Sequence, residues 1–480
     1  MSAPAPSLSL GTSVALALGC GVLLRLVVQL EPVAWLAWVA PVPALVLASR
    51  SPHARTRWLM VLAALVAQSG NLSALTRIMP AGLAIGVSGA LALVLAGILN
   101  AAQRHLRHAS VVPGMLALPL LWTAVDTVMA HALPDGNWNS YAYTQVGMLP
   151  LLQVTSILGV PGLLFVLTLV PSAIAFVLLH GRRPRGTVRA CIAVMLTLAV
   201  TMAFGAARLR QRQAGPSVTI GLVAIDDAIG LQARAPYIGA IRSAYAARVA
   251  ELAAQGARLV VLPEKIAVTT PAGAGEWQRY FSDLAAAQRV GLLASITIDG
   301  GGPPENFAWL FGADGRLDDA YLKHHLAPPE RAYRAGTNFA VRDVSGFRAG
   351  LAICKDMHFA SFAREYGARD VAVVLVPAWD FTVDRTLAAR MTMVRGVENG
   401  FMVIRSSRDG LLTVSSAYGR VIAERPSAGM PGAGLLVTTV VPPPIRTVYT
   451  RFGDWFGWLC VAGAAVLLVA GRRRLRALTG

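Results

Sequence analysis

Seven apolar stretches, each close to the ~20 residues that carry a helix across a bilayer, fill the chain between residues 10 and 207, and an eighth lies near its end. They read as Leu10–Leu30, Pro32–Ala48, Trp58–Met79, Ala81–Ala101, Val112–Ala132, Leu158–His180, Ala190–Ala207 and Trp455–Ala470. The second is short, as a tilted or re-entrant piece would be. With 55% hydrophobic and only 14% charged residues, the chain lies outside the range of soluble domains. The opening Met1–Ser9 has neither a basic n-region nor a small-residue cleavage site, so the first stretch is expected to be retained.

The net charge of +18 is gathered in short arginine runs. These are Arg50, Arg55 and Arg57, then Arg104 and Arg107, then Arg182, Arg183, Arg185 and Arg189, and finally Arg472–Arg474 with Arg476. With about eight spans and a cytoplasmic N-terminus, all four runs fall on the cytoplasmic side, as the positive-inside rule requires. Residues 208–451 then lie on the outer face. No aromatic-interleaved basic motif accompanies the charge, so nucleic acid is not an expected partner. Within the spans, Arg25, Arg77 and Asp126 read as snorkelling or bundle-paired groups rather than a conduction path, because no symmetric set of charges recurs. The loop from Pro134 through Trp138 and Tyr141 to Gln145 is aromatic and polar. It suits an interfacial belt or a lipid-headgroup contact beneath an outer domain.

From Val218 the texture changes to short strands alternating with helices, the pattern of an α/β domain. Strands are expected at Val218–Ala224, Leu259–Leu262, Gly291–Asp299, Asn306–Phe311, Leu317–Lys323, Leu351–Ile353, Val371–Val376, Phe401–Ser406, Leu411–Ser415 and Val421–Glu424. Helices are expected at Ile238–Gln255 and Thr386–Asn399, closed by Gly256 and Gly400. Gly312-Ala-Asp-Gly315 marks a hairpin turn. The expected organisation is a membrane bundle over 1–208, an α/β domain over 217–445 and a last membrane helix over 455–471.

Three strand-end residues carry chemistry: Glu264 after Leu262-Pro263, Lys323, and Cys354 at the end of an apolar run. A free cysteine is often only a small buried hydrophobe, and the other three, Cys20, Cys191 and Cys460, lie in apolar stretches. No CxxC or His/Cys ligand spacing supports a disulfide framework or a metal site. A carboxylate can take the thiol proton and return it to a leaving group, and an ammonium favours the thiolate. The lysine and the backbone N–H of Lys355 can also stabilise a tetrahedral oxyanion. Together they would form a thioester-making site.

Leu262-Pro263-Glu264, the hairpin into Lys323-His-His-Leu-Ala-Pro328, and Gly350-Leu-Ala-Ile-Cys354-Lys-Asp356 resemble, in order and context, the three motifs of the nitrilase (carbon–nitrogen hydrolase) superfamily. With seven spans before and one after, and with Trp122-Thr-Ala-Val-Asp126 and Trp138–Gln145, the chain resembles that superfamily's membrane-embedded apolipoprotein N-acyltransferase family. The resemblance implies an extracytoplasmic four-layer α-β-β-α sandwich carried on a multi-span helical bundle of the bacterial inner membrane. It implies a Glu264–Lys323–Cys354 triad that takes an acyl chain from a phospholipid, typically phosphatidylethanolamine, and passes it to the α-amine of a diacylglyceryl-cysteine apolipoprotein. Glu330, Asp356 and Asn306 are implied as supporting residues. Trp138, Tyr141 and Lys355 are candidate substrate contacts, and no cofactor or metal is implied. Two places depart from the pattern. Lys355 replaces the usual aromatic, either strengthening the positive field or altering the acyl pocket, and the Pro328-Pro-Glu330-Arg331 loop is expected to displace Glu330. Residues 265–322, with few large apolar side chains beyond Trp277, Tyr280 and Phe281, predict only a modest lid. The other readings weighed are a membrane-tethered amidase, an acyltransferase using another amine, and an inactive scaffold or transporter.

Overall fold

Helix α1 (Leu10–Val28) opens a computed structural model that describes residues 9–107, 110–136, 138–181, 185–225, 238–429 and 432–479. Arg182, Arg183 and the side chains of Arg472–Arg476 lie outside the described residues. The chain divides into two units, Met1–Leu133 with Asn137–Ala207 and Asp454–Gly480, and Pro134–Gly136 with Arg208–Gly453.

In the first unit, a turn of 3-10 helix at Ala34–Trp38 precedes α2 (Pro41–Arg50). Then follow α3 (His53–Ile78), α4 (Ala81–Leu106), α5 (Val111–Ala132), the single turn α6 (Leu149–Leu152), α7 (Thr155–His180) and α8 (Thr187–Leu209). Among the described residues six helices are long and apolar enough to cross a membrane, namely α1, α3, α4, α5, α7 and α8. The apolar segments Ala34–Arg50 and Trp455–Gly471 are shorter. Pro41 opens α2 and separates it from the 3-10 turn, so the second stretch is a two-piece element whose α part spans only ~15 Å. In α7, Gly159 takes φ +67 ahead of Pro161 and kinks the helix at its start.

The polar residues of this unit are engaged locally. Arg25 and Arg77 sit in the last turns of α1 and α3, and Arg25 donates to Ser69 at 3.2 Å. Asp126 accepts the Ser140 hydroxyl at 3.0 Å. A second 3-10 turn, Tyr141–Gln145, interlocks with Ala34–Trp38. Trp38 donates to the Gln145 side chain (3.0 Å), Gln145 to the Ala34 carbonyl (2.7 Å), and Tyr141 to the Ala37 carbonyl (2.9 Å).

The second unit is built on two sheets. The first holds β1 (Ser217–Ala224), β2 (Leu259–Val261), β3 (Val268–Thr269), β4 (Gly291–Ile298), β5 (Glu305–Phe311) and β6 (Leu317–Leu322). The second holds β7 (Val341–Val344), β8 (Phe347–Leu351), β9 (Val373–Trp379), β10 (Met402–Arg408), β11 (Leu411–Ser415) and β12 (Val421–Pro426). A last strand, β13 (Ala433–Val440), returns to pair antiparallel with β1, giving the orders β13-β1-β2-β4-β5-β6 and β12-β11-β10-β9-β8-β7. β1, β2 and β4 run parallel, as do β8, β9 and β10.

Residue alternation along these strands makes the layers. Ile220, Leu222, Leu259, Val261 and Leu293 share a core with Leu351, Val373 and Leu375 of the second sheet. Their neighbours Val223, Val260, Leu262, Leu292 and Ala294 face the other way, onto Tyr245, Val249 and Leu252 of α9 (Ile238–Ala254) and Trp277 and Phe281 of α10 (Pro271–Gln288). Helices α11 (Ala360–Ala368) and α12 (Arg385–Asn399) and the short α13 (Val448–Phe452) complete the set. The Tyr366 ring of α11 lies 2.6 Å from where a Cβ on Gly350 would stand, so β8 needs glycine there. Helix α10, β7 and β13 had no counterpart among the expected elements. Residues 265–322, where only a modest lid is expected, hold an 18-residue helix whose three aromatics, Trp277, Tyr280 and Phe281, all face the core or its edge.

Candidate active site

Strands β2 and β9, one from each sheet, end close together, and the residues that follow β2, β6 and β8 carry the site. The Glu264 N–H donates to the Ala378 carbonyl at 3.2 Å, and the Cys354 thiol lies 3.6 Å from the Trp379 carbonyl, toward which it donates. One dipeptide at the end of β9 thus holds both residues. Cys354 follows β8, begins the 3-10 turn Cys354–His358 and takes φ +42. That left-handed value, uncommon for a non-glycine residue, aims the side chain out of the strand direction.

Glu264, Lys323, Glu330 and Asn306 form one buried network. Lys323 Nζ donates to Glu264 Oε1 at 2.7 Å and to Glu330 Oε2 at 2.6 Å. Asn306 Nδ2 donates to Glu264 Oε1 at 2.7 Å and to Glu330 Oε1 at 2.8 Å. All four residues are at most 2% exposed. Desolvation on this scale is tolerable only because each charge has several partners. The loop departure does not displace Glu330: Pro328 and Pro329 start a one-turn 3-10 helix, Glu330 closes it by accepting the Ala327 N–H at 2.9 Å, and its carboxylate still reaches Lys323. Lys265 adds a second ammonium to Glu330 and lies 4.7 Å from the Tyr333 ring centroid. Its backbone φ of +52 turns it beside Glu264.

Burial pushes the Glu330 carboxyl up, but Lys323 and Lys265 outweigh it and hold it at about 2. Burial works against the Lys323 charge, yet Glu264 and Glu330 raise its pKa well above the usual lysine range. Burial and then the Glu264 charge push the Cys354 thiol well above its ordinary value, with Lys323 pulling the other way. Burial thus works against a thiolate here, with Glu264 and Lys323 as the charged groups that act on the thiol most strongly.

Asp356 holds the turn. Its carboxylate accepts the Tyr321 hydroxyl (2.7 Å) and the N–H groups of Ile353 (2.8 Å), His324 (3.2 Å) and His325 (2.7 Å). The nucleophile turn is so tied to the chain directly after Lys323. Lys355 is buried and sends its ammonium to the Leu326 carbonyl at 2.8 Å. Of the remaining candidates, Trp138 is half-buried in its loop, while Tyr141 is buried against Trp122, with ring centroids 4.6 Å apart. Trp138 and Tyr141 lie in the first unit.

Three residues near the thiol escaped the sequence reading. Lys265 was visible only as the residue after Glu264. Asp380 and Arg405 form a buried bidentate pair, with one contact at 2.9 Å, and Ser407 also donates to Asp380 at 2.9 Å. An acid directly after Trp379 was the available signal, since the chain has only 25 Asp and Glu. Among the described residues no group of three or more His, Cys, Asp or Glu side chains could hold a metal ion.

Two protein families match the chain. The apolipoprotein N-acyltransferase N-terminal domain matches residues 20–173, and the carbon-nitrogen hydrolase family matches residues 229–426. An apolipoprotein N-acyltransferase of Geobacter metallireducens is 26% identical over 95% of this chain and 94% of its own length. The omega-amidase NIT2 of Homo sapiens is 30% identical over 37% of this chain and 75% of its own. An amidase structure from Nesterenkonia sp. is 21% identical with a TM-score of 0.41, covering 50% of this chain and 94% of that one.

Proposed function

The chain belongs to the apolipoprotein N-acyltransferase family of carbon–nitrogen hydrolases and N-acylates lipoproteins in a bacterial membrane, and we propose that it does so through a thioester on Cys354. The observation that carries this reading is the buried Glu264–Lys323 contact of 2.7 Å at the strand ends where the Cys354 thiol is held against the Trp379 carbonyl.

Glu264 takes the Sγ proton as the thiolate attacks an ester carbonyl of the donor phospholipid. Lys323 Nζ and the Lys355 N–H stabilise the oxyanion. Collapse breaks the ester C–O bond, and the lysophospholipid alkoxide leaves with the proton from Glu264. The α-amine of the diacylglyceryl-cysteine acceptor then attacks the thioester carbonyl and yields a proton to Glu264. The C–S bond breaks, and the proton returns to Cys354. Glu330 and Asn306 hold Lys323 and Glu264 in place through both halves. Phosphatidylethanolamine is the proposed donor. The proposed setting is the inner membrane, with both termini cytoplasmic and the hydrolase unit on the outer face, which requires the shorter apolar segments Ala34–Arg50 and Trp455–Gly471 to cross as well; the arginine runs at 50–57 and 104–107 support that orientation.

Likeness to an omega-amidase favours one other reading, hydrolysis of a soluble amide at the same thiol. Intact-mass analysis after incubation with phosphatidylethanolamine, beside Cys354→Ser, separates the two. The transferase reading expects an acyl adduct on the wild type alone, removed by hydroxylamine and matched by released lysophospholipid. Turnover of a soluble amide, with no adduct from any phospholipid, would instead favour the amidase.

A further inference from the structure

The side chain of Lys355 follows the nucleophile in sequence but is turned to a different task. It is 7% exposed, and its ammonium meets the Leu326 carbonyl at 2.8 Å and the carboxylate of Asp135. Asp135 belongs to Pro134–Gly136, which packs within the second unit. One of its oxygens faces Lys355, and the other lies 3.5 Å from Arg331 Nη2. A single carboxylate therefore reaches the residues directly after Cys354 and Glu330. Gly136 is seated on the same turn: at φ +63, an added Cβ would stand 3.6 Å from the Phe359 ring and 4.0 Å from the His358 carbonyl.

We infer that Lys355 and Asp135 are a positioning pair for the acylation step, fixing the 354–355 peptide against the 323–330 loop. The inference rests on the thioester reading above. In that reading the oxyanion has two donors, Lys323 Nζ and the Lys355 N–H, one on each of these segments. Lys355 joins the segments by holding the Leu326 carbonyl, and Asp135 balances the buried ammonium that does so. Asp356 already pins the far side of the turn through the Ile353, His324 and His325 N–H groups. Without the Lys355 tie, residue 354 would keep a strained φ with support on one side only. A donor peptide displaced by a fraction of an ångström costs rate more than binding.

The test uses the full chain in detergent with phosphatidylethanolamine micelles. Asp135→Asn, Lys355→Met, the double variant and Lys355→Arg are compared by single-turnover acyl-adduct formation, donor KM and melting temperature. Asp135→Asn changes a half-exposed, isosteric site and so keeps the test open if Lys355→Met folds poorly. The expected result is a loss of roughly tenfold to a hundredfold in acylation rate for each single variant, with little change in donor KM. The double variant should be no slower than Lys355→Met, because a pair acting as a unit is lost once. Lys355→Arg should recover most of the rate. An adduct that forms at the wild-type rate in both single variants, or losses that multiply in the double, would overturn the inference alone. Absence of any adduct on the wild type would overturn the thioester reading and this inference with it.

Discussion

A buried carboxylate beside a buried ammonium keeps its charge only where the partners outnumber the lost waters, and the second unit contains both outcomes. Glu330 has two ammonium groups and is held at about 2. Asp384 is 6% exposed, its Oδ1 has no hydrogen-bond partner, and Asp380 carries a like charge nearby. Burial first and Asp380 second raise the Asp384 carboxyl to about 8. Its folded value thus lies above its unfolded value, so between about pH 4 and 8 the native chain binds more protons than the unfolded one. Stability from this group is present below that window and is lost as pH rises through it. Asp384→Asn should remove the dependence. Melting curves should show the variant gaining on the wild type from pH 5 to pH 8, then holding a constant lead. A constant difference across that range would count against the assignment. Neither behaviour could be read from the sequence, where Glu330 precedes Arg331 and Asp384 precedes Arg385 in the same way. Lys265 reaches Glu330 across 65 residues of chain, and only the positive φ of Lys265 turns it there.

At the scale of elements, the turns around the site were legible because their chemistry is local. Pro263-Glu264 after one apolar run and Gly312–Gly315 between two strands fix where strands stop whatever packs around them, whereas the strand before Cys354 spans Phe347–Leu351 rather than Leu351–Ile353, because its pairing with β7 and β9 sets its extent. The strands β7 and β13 were missed for the opposite reason. Val341-Arg-Asp-Val344 is half charged and lies at a sheet edge, while β13 gains its identity only by pairing with β1, more than 200 residues earlier. Asp356 belongs to this scale as well, since its role is to join two elements. Asp356→Ala would leave the Ile353, His324 and His325 N–H groups and the Tyr321 hydroxyl without their acceptor. Unfolding measurements should show a loss of at least about 3 kcal/mol, given ~1–3 kcal/mol for each buried donor left unmade. Asp356→Asn, which keeps an acceptor oxygen, should lose less. Equal losses for the two variants would mean that the carboxylate's hydrogen bonds are not what holds the turn.

At the scale of the whole molecule, six helices among the described residues are long and apolar enough to cross a membrane, and the arginine runs support the orientation proposed for them. The orientation has a direct test. Single cysteines placed at the exposed positions Arg55 and Arg279, in a Cys-free background, should react with a membrane-impermeant maleimide from opposite sides in intact and permeabilised cells. Position 55 is expected to label only after permeabilisation and position 279 before it. The reverse pattern would invert the proposed topology. The pairing of β1 with β13, Ser217 opposite Val440 through Ala224 opposite Ala433, bears on how such a chain could arise. The first and last strands of the hydrolase unit are side by side, about 5 Å apart. A gene segment encoding everything between them could therefore be spliced into a membrane protein at one point, or excised from it, without rethreading a strand.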